Sequence, residues 1–138
     1  MQLFDNHSDT AHHLSPLNLA YIGDAVYTLL TRTRLVAGAN RPTAAHNKIA
    51  NIKNKAATQS ANYYKIQKHL SADELAILKR GRNASPKQKA KNASFADYRN
   101  ATGLEALFGY LYLSGQNPRI LELFDICWSD YDDEKKQL

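Results

Sequence analysis

Two acidic residues stand where acids are costly. Asp24 interrupts "LAYIGDAVYTLL" (residues 19–30) and Glu105 interrupts "TGLEALFGYLYLSG" (residues 102–115), two runs that are otherwise apolar, aromatic or small. A carboxylate in such surroundings is paired, protonated or bound to a cation, because an ionised acid buried alone is strongly destabilising. Small residues flank both: Gly23 and Ala25 around one, Gly103, Ala106 and Gly109 around the other. Small side chains let helix axes approach closely, so two helices crossing at these points would bring the acids together. Carboxylates held side by side repel, and one takes up a proton unless a cation lies between them. Magnesium suits that position, since it prefers oxygen ligands and is commonly held by one or two carboxylates beside phosphate groups. Next to a basic surface, such a site would support metal-assisted attack of water on a phosphodiester. The residue types leave another arrangement open, in which Asp24 pairs with Arg32 or a tyrosine hydroxyl and Glu105 with Arg99 or a backbone donor; no short metal motif links the two acids.

The elements that must position these acids are helical throughout. Strand patterns are scarce, while helix caps recur at regular intervals. Ser15 followed by Pro16 predicts a helix start, with a first helix running to about Val36 and stopped by Gly38 and Asn40. Thr43 after Pro42 predicts a second, long helix reaching Leu70, its outer face carrying Lys48, Lys53, Lys55, Lys65 and Lys68. "SADELAILKRG" contains a capping box, Ser71 with Glu74, and predicts a short helix stopped by Gly81. "RNASPKQKAKNAS" lacks apolar periodicity and is expected to be an exposed loop. Ser94 with Asp97 caps the helix that holds Glu105, which Gly115 ends, and Asn117 and Pro118 begin a last helix through "RILELFDICW". Residues 1–14 are expected to form a flexible leader in which His7, His12 and His13 show no ligand spacing, residues 15–128 one helical domain, and residues 129–138 a polar tail.

Length and composition fit that picture. A chain of 138 residues is one domain's worth. The single cysteine, Cys127, offers neither a disulfide nor a Cys-rich zinc site and is expected in the core. No stretch resembles a signal peptide or a membrane span, which points to a soluble, intracellular protein with no membrane partner. The net charge of +5 is unevenly spread: from Arg41 to Lys91 twelve Lys or Arg stand against Asp73 and Glu74 alone. A basic segment of that kind suits a polyanion such as nucleic acid, or simply a solvated helix face. His46, within it, is expected at a solvated position, with phosphate contact as the alternative.

"NLAYIGDAVYTLL" resembles the signature helix of the ribonuclease III family, and "TGLEALFGYLYLSG" resembles its second acidic helix. With "LKRGRNA" at residues 78–84 between them, the similarity is closest to the Mini-ribonuclease III branch, which lacks a double-stranded RNA-binding domain, and it extends from about residue 16 to residue 125. The resemblance implies an all-α, ribonuclease III-like helical endonuclease domain, homodimeric, cutting double-stranded RNA with Mg2+ and accepting Mn2+ as a substitute. It makes Asp24 and Glu105 the catalytic, metal-binding residues. It places Tyr21 and Ile22 at the dimer interface; Tyr21, Tyr27, Tyr110 and Tyr112 are expected in the core or that interface rather than stacked on bases. The natural substrate it implies is the precursor of large-subunit (23S) ribosomal RNA, with assistance from a ribosomal protein, in a bacterial cytoplasm rather than a plastid. Two acids of the fuller ribonuclease III pattern are absent, replaced by Ala20 and Thr102, so water and RNA phosphates must complete the metal's coordination. The thinning also motivates a different reading, a non-catalytic module binding structured RNA or ribosomes; a helical DNA-binding or scaffold protein is a third, which leaves the acids unexplained.

The expected RNA contacts are backbone contacts from Lys48, Lys53, Lys55, Arg80, Arg82, Lys87, Lys89 and Lys91, because A-form RNA is read mainly by shape and phosphate. Replacing Lys87, Lys89 and Lys91 together by alanine should weaken RNA binding and flatten its dependence on salt, measured as log K against log salt concentration. An unchanged slope would remove that segment from the interface.

Overall fold

The computed structural model describes residues 8–84 and 94–136, and for residues 8–9 and 130–136 the backbone alone. Seven α-helices and a single 3-10 turn account for nearly all of these residues, with no strand among them. In chain order they are α1 (Ser8–Ala11), α2 (Pro16–Gly38), α3 (Thr43–Asn54), α4 (Ala56–Ile66), the 3-10 turn Gln67–His69, α5 (Ala72–Ala84), α6 (Phe95–Leu113) and α7 (Asn117–Lys136).

Helix α6 is the axis of the domain, packed by α2, α4 and α5 and flanked by α7 and α1. Every residue from Asn100 to Leu111 is buried except Glu105, which is half-buried. A helix apolar all round needs neighbours on every side, and here they approach to backbone contact. A Cβ built on Gly109 would lie 1.9 Å from the Leu19 carbonyl oxygen, and one on Gly23 would lie 1.6 Å from that of Glu105. On the opposite flank a Cβ on Gly103 would stand 2.6 Å from the Leu78 carbonyl oxygen, and one on Gly81 2.7 Å from the Ala106 Cβ. Gly81 therefore does not stop α5, as its place in the sequence suggested. The helix runs through it to Ala84, and the glycine serves the crossing with α6.

The caps form as their residues dictate. Ser15 accepts from the Asn18 amide, and Ser94 from the Asp97 amide. Ser71 and Glu74 make a reciprocal capping box, at 3.2 and 2.9 Å. Gly115, at φ 72°, turns the chain out of α6 in the left-handed conformation that glycine tolerates best. The predicted long second helix is instead two, because Lys55 is extended (φ −70°, ψ 154°). The Thr58 hydroxyl donates to the Ile52 carbonyl, left free at the end of α3, and the Asn54 side chain accepts from Thr31 on α2. This bend lets α3 pack on α2 while α4 packs on α6.

Helix extends into described parts of both the expected leader and the expected tail. Ala11 of α1 is fully buried, and His12 is hydrogen-bonded at 3.1 Å to the hydroxyl of Tyr110 on α6, so the expected leader contacts the body at these two residues. The polar tail continues α7 as helix to Lys136. Cys127 is buried as expected, and burial pushes its thiol up to about 12. Tyr27, Phe108, Phe124 and Trp128 form an aromatic cluster with centroids 5.4–6.5 Å apart, joining α2, α6 and α7.

Two predictions follow from this packing. Glycine-to-alanine in a helix is ordinarily favourable, but Gly109→Ala would drive a methyl group into the α2 backbone and should cost about 3 kcal/mol, read as a lower urea midpoint. Glu74, 7% exposed, accepts two hydrogen bonds from Arg119 of α7, both 2.9 Å. Those bonds, with the Ser71 amide, hold its carboxyl below the usual carboxylate range. Its contribution is complete above the unfolded pKa, about 4.3, and is lost as pH falls through the lower folded value. Glu74→Gln should therefore be less stable than the parent by about 2 kcal/mol at pH 7, and the gap should narrow in acid; a gap independent of pH would contradict the pairing.

Candidate active site

The crossing of α2 and α6 decides where the acids go. Because Gly23 sits against the Glu105 carbonyl, the next residue, Asp24, stands beside Glu105 at the edge of the contact. Asp24 is exposed and Glu105 half-buried, giving a carboxylate pair that opens to solvent on one side only. Burial first, then hydrogen bonding to Asp24 and its charge, push the Glu105 carboxyl up to about 9, so without a cation the pair holds a proton at neutral pH.

The alternative partners are engaged elsewhere or absent. Arg99 donates to the Arg82 carbonyl and to Asn83, and no ion pair joins Arg32 to Asp24 among the described residues. The donor set suits a hard divalent cation, whose charge would replace the shared proton. Two carboxylates leave most coordination positions to water and substrate, and no cluster of three or more His, Cys, Asp or Glu occurs among the described residues. Ala20, where a further acid was looked for, is buried, and the Thr102 hydroxyl is occupied with the Tyr98 carbonyl at 3.0 Å.

A match to the ribonuclease III domain model covers residues 17–116, which includes both acids and the glycines that join them. The chain belongs to the ribonuclease III family. It is 40% identical over 126 residues to Mini-ribonuclease 3 of Clostridium tetani, covering 89% of this chain and 82% of that protein. It is 46% identical over 110 residues to Mini-ribonuclease 3 of Brevibacillus brevis, covering 79% and 81%. The fold superimposes on a crystal structure of a Fusobacterium nucleatum protein with a TM-score of 0.80 at 28% identity, covering 88% of this chain and 93% of that one. As a member of the Mini-ribonuclease III branch it is an endoribonuclease, and its substrate is RNA.

The basic residues fare unevenly. Lys48 on α3, Lys55 at the bend and Arg80 on α5 are exposed, as an RNA-facing role requires. Lys53 is half-buried, its ammonium 5.2 Å from the Trp128 ring centroid, so it faces α7 rather than solvent. Arg82 is half-buried as well and donates to the Asn100 side chain at 3.0 Å. Asn100, 1% exposed, donates in turn to Ser60 at 2.9 Å, which links α4, α5 and α6. That relay went unnoticed in the sequence; an asparagine inside the apolar stripe of α6 was its one visible sign. Lys87, Lys89 and Lys91 lie outside the described residues. Tyr27 and Tyr110 are buried and Tyr112 half-buried, whereas Tyr21 is 80% exposed beside half-buried Ile22.

The pair predicts separable effects on activity and stability. Glu105→Gln reproduces the protonated carboxyl in shape and Asp24→Asn removes the repulsion, so both variants should keep the parent's melting temperature. Each should lose cleavage by on the order of 10³-fold or more, since groups acting as a unit fail together. A variant that keeps full activity would remove its residue from the site.

Proposed function

We propose that this enzyme is a magnesium-dependent endonuclease for double-stranded RNA, with the Asp24–Glu105 pair as its metal and catalytic centre. The observation that carries the reading is the half-open carboxylate pair: two acids forced together at a glycine crossing, one of them held against ionisation by burial and by its neighbour. A bound divalent ion supplies a polarised phosphoryl oxygen and an activated water, with manganese as a substitute for magnesium. Asp24, on the open side, orients the water and meets substrate, while Glu105 is fixed by α6 and sets the position of the pair. Lys48, Lys55 and Arg80 provide exposed charge for RNA phosphates. Arg82, held by Asn100, and Lys53 are placed to brace that surface.

A homodimer fits the outer face of α2, where Leu17, Tyr21 and Leu29 are exposed at 42–80%. Two subunits would then offer one centre to each strand of a duplex. The relatives that share the chain's length are bacterial Mini-ribonucleases 3, which supports a cytoplasmic enzyme trimming a paired stem of the 23S ribosomal RNA precursor, with a ribosomal protein shaping the stem. No helix among the described residues is long and apolar enough to cross a membrane.

The test is cleavage of a long RNA duplex and of a single-stranded RNA of the same sequence, with light scattering of the same preparation. The reading expects cutting of both strands of the duplex in Mg2+, none in chelator, little cutting of the single strand, and a mass twice that of the 15.5 kDa chain. Equal cutting of single-stranded RNA, or activity in chelator, would overturn it, and a monomeric mass would remove the dimer.

A further inference from the structure

Between Asp24 and Asp73 the sequence contains no acidic residue, although it carries three arginines and five lysines. Within this segment the second half of α2 and the start of α3 border an open-sided cavity of about 270 Å3, lined among others by Arg32, Leu35, Val36, Thr43, His46 and Asn47. Among the described residues no carboxylate lines it. Three of its polar features lack a partner of the kind they need. The Arg32 side chain is exposed, with no ion pair or hydrogen bond among the described residues. The Nδ1 atom of His46 is buried without a hydrogen-bond partner, which is costly for a ring nitrogen. The N-terminus of α3 opens here at Thr43, and its N-cap, Pro42, offers no side-chain hydrogen bond.

We infer that this cavity is a subsite for an RNA backbone phosphate, bound by the Arg32 guanidinium and the His46 imidazole at the N-terminal end of α3. A phosphate suits this lining. Its oxygens accept from the guanidinium in a planar fork, from an imidazole N–H and from helix N-terminal amides, where the helix dipole also favours negative charge. Buried Leu35 forms an apolar wall behind those groups. The placement suits the same RNA that meets the acid pair. Arg32 follows Asp24 by eight residues on α2, about 12 Å along the helix axis at the usual rise, and both side chains are exposed. The subsite would thus hold the substrate's backbone a short way from the reacting phosphodiester. This inference rests on the double-stranded RNA reading given above.

Binding of a short RNA duplex to the non-cutting Asp24→Asn protein, measured over a series of salt concentrations, tests it. Adding Arg32→Ala should weaken binding about tenfold and lower the slope of log K against log salt by nearly one, the loss of a single phosphate contact. Arg32→Lys should keep the slope, and His46→Ala should weaken binding severalfold. Light scattering should show the parent's assembly for every variant. Affinity and slope equal to the parent's in both alanine variants would overturn the subsite, as would a loss of binding that follows a change in assembly state. The two levels separate cleanly. If the wild-type enzyme cuts duplex RNA and Arg32→Ala cuts it with the same KM and salt dependence, the subsite falls and the duplex reading stands. If the wild-type enzyme cuts none and the Asp24→Asn protein binds none, the duplex reading falls and the subsite with it.

Discussion

Everything in this domain turns on two helix backbones in contact. Where α2 crosses α6, Gly23 and Gly109 leave no room for a side chain on either partner, and the carbonyls of Glu105 and Leu19 occupy the space. The contact fixes the rotation of both helices about their axes, and with it the direction in which the neighbouring residues project. Asp24 and Glu105 are neighbours of that crossing, so their separation is a property of the packed backbone rather than of flexible side chains. A second crossing, Gly81 on Gly103, repeats the device on the other side of α6 and leaves the central helix clamped between α2 and α5. A site built on rigid elements in this way holds its geometry before substrate arrives.

The clamp has an electrostatic cost. It forces together two acids that would be more comfortable apart, and burial leaves Glu105 reluctant to ionise. The stability that tolerates this lies elsewhere: the aromatic cluster of Tyr27, Phe108, Phe124 and Trp128, the Ser71–Glu74 capping box, and the tie from Glu74 to Arg119. A cation between the acids would reverse the local balance, turning repulsion into coordination and drawing the shared proton off Glu105. Under the proposed metal-site reading, the same pair is unfavourable for the fold alone and would become favourable once metal and substrate complete it, a common compromise at functional positions.

The sequence displayed the acids, their small neighbours and the caps, and the structure joins them as those residues suggest: Ser15, Ser71, Ser94 and Gly115 bound the helices expected of them. Its failures have identifiable causes. Gly81 looked like a stop because glycine ends helices more often than it crosses them, and only the facing Gly103 reveals its purpose. The break at Lys55 depends on Thr31 and Thr58 taking up Asn54 and the Ile52 carbonyl, one a contact between α2 and α3 that no local pattern records. Lys53 and Arg82 read as solvent-facing charge, yet Trp128 and Asn100, distant in the chain, hold them against the body. Residues 8–14 were polar enough to suggest fraying, but Ala11 and His12 find partners on α6. Periodicity and caps describe an element from within; what each misreading lacked was the neighbour that the fold supplies.

The central claim is that the α2–α6 crossing exists to make one divalent-cation site from Asp24 and Glu105. The most direct measurement is manganese binding by electron paramagnetic resonance, on the wild-type protein with a duplex RNA made uncleavable, set against Asp24→Asn and Glu105→Gln under the same conditions. The account predicts one manganese ion per chain in the wild-type complex and its loss from either variant, with RNA still bound. Manganese bound equally by all three proteins would place the metal elsewhere and contradict the account.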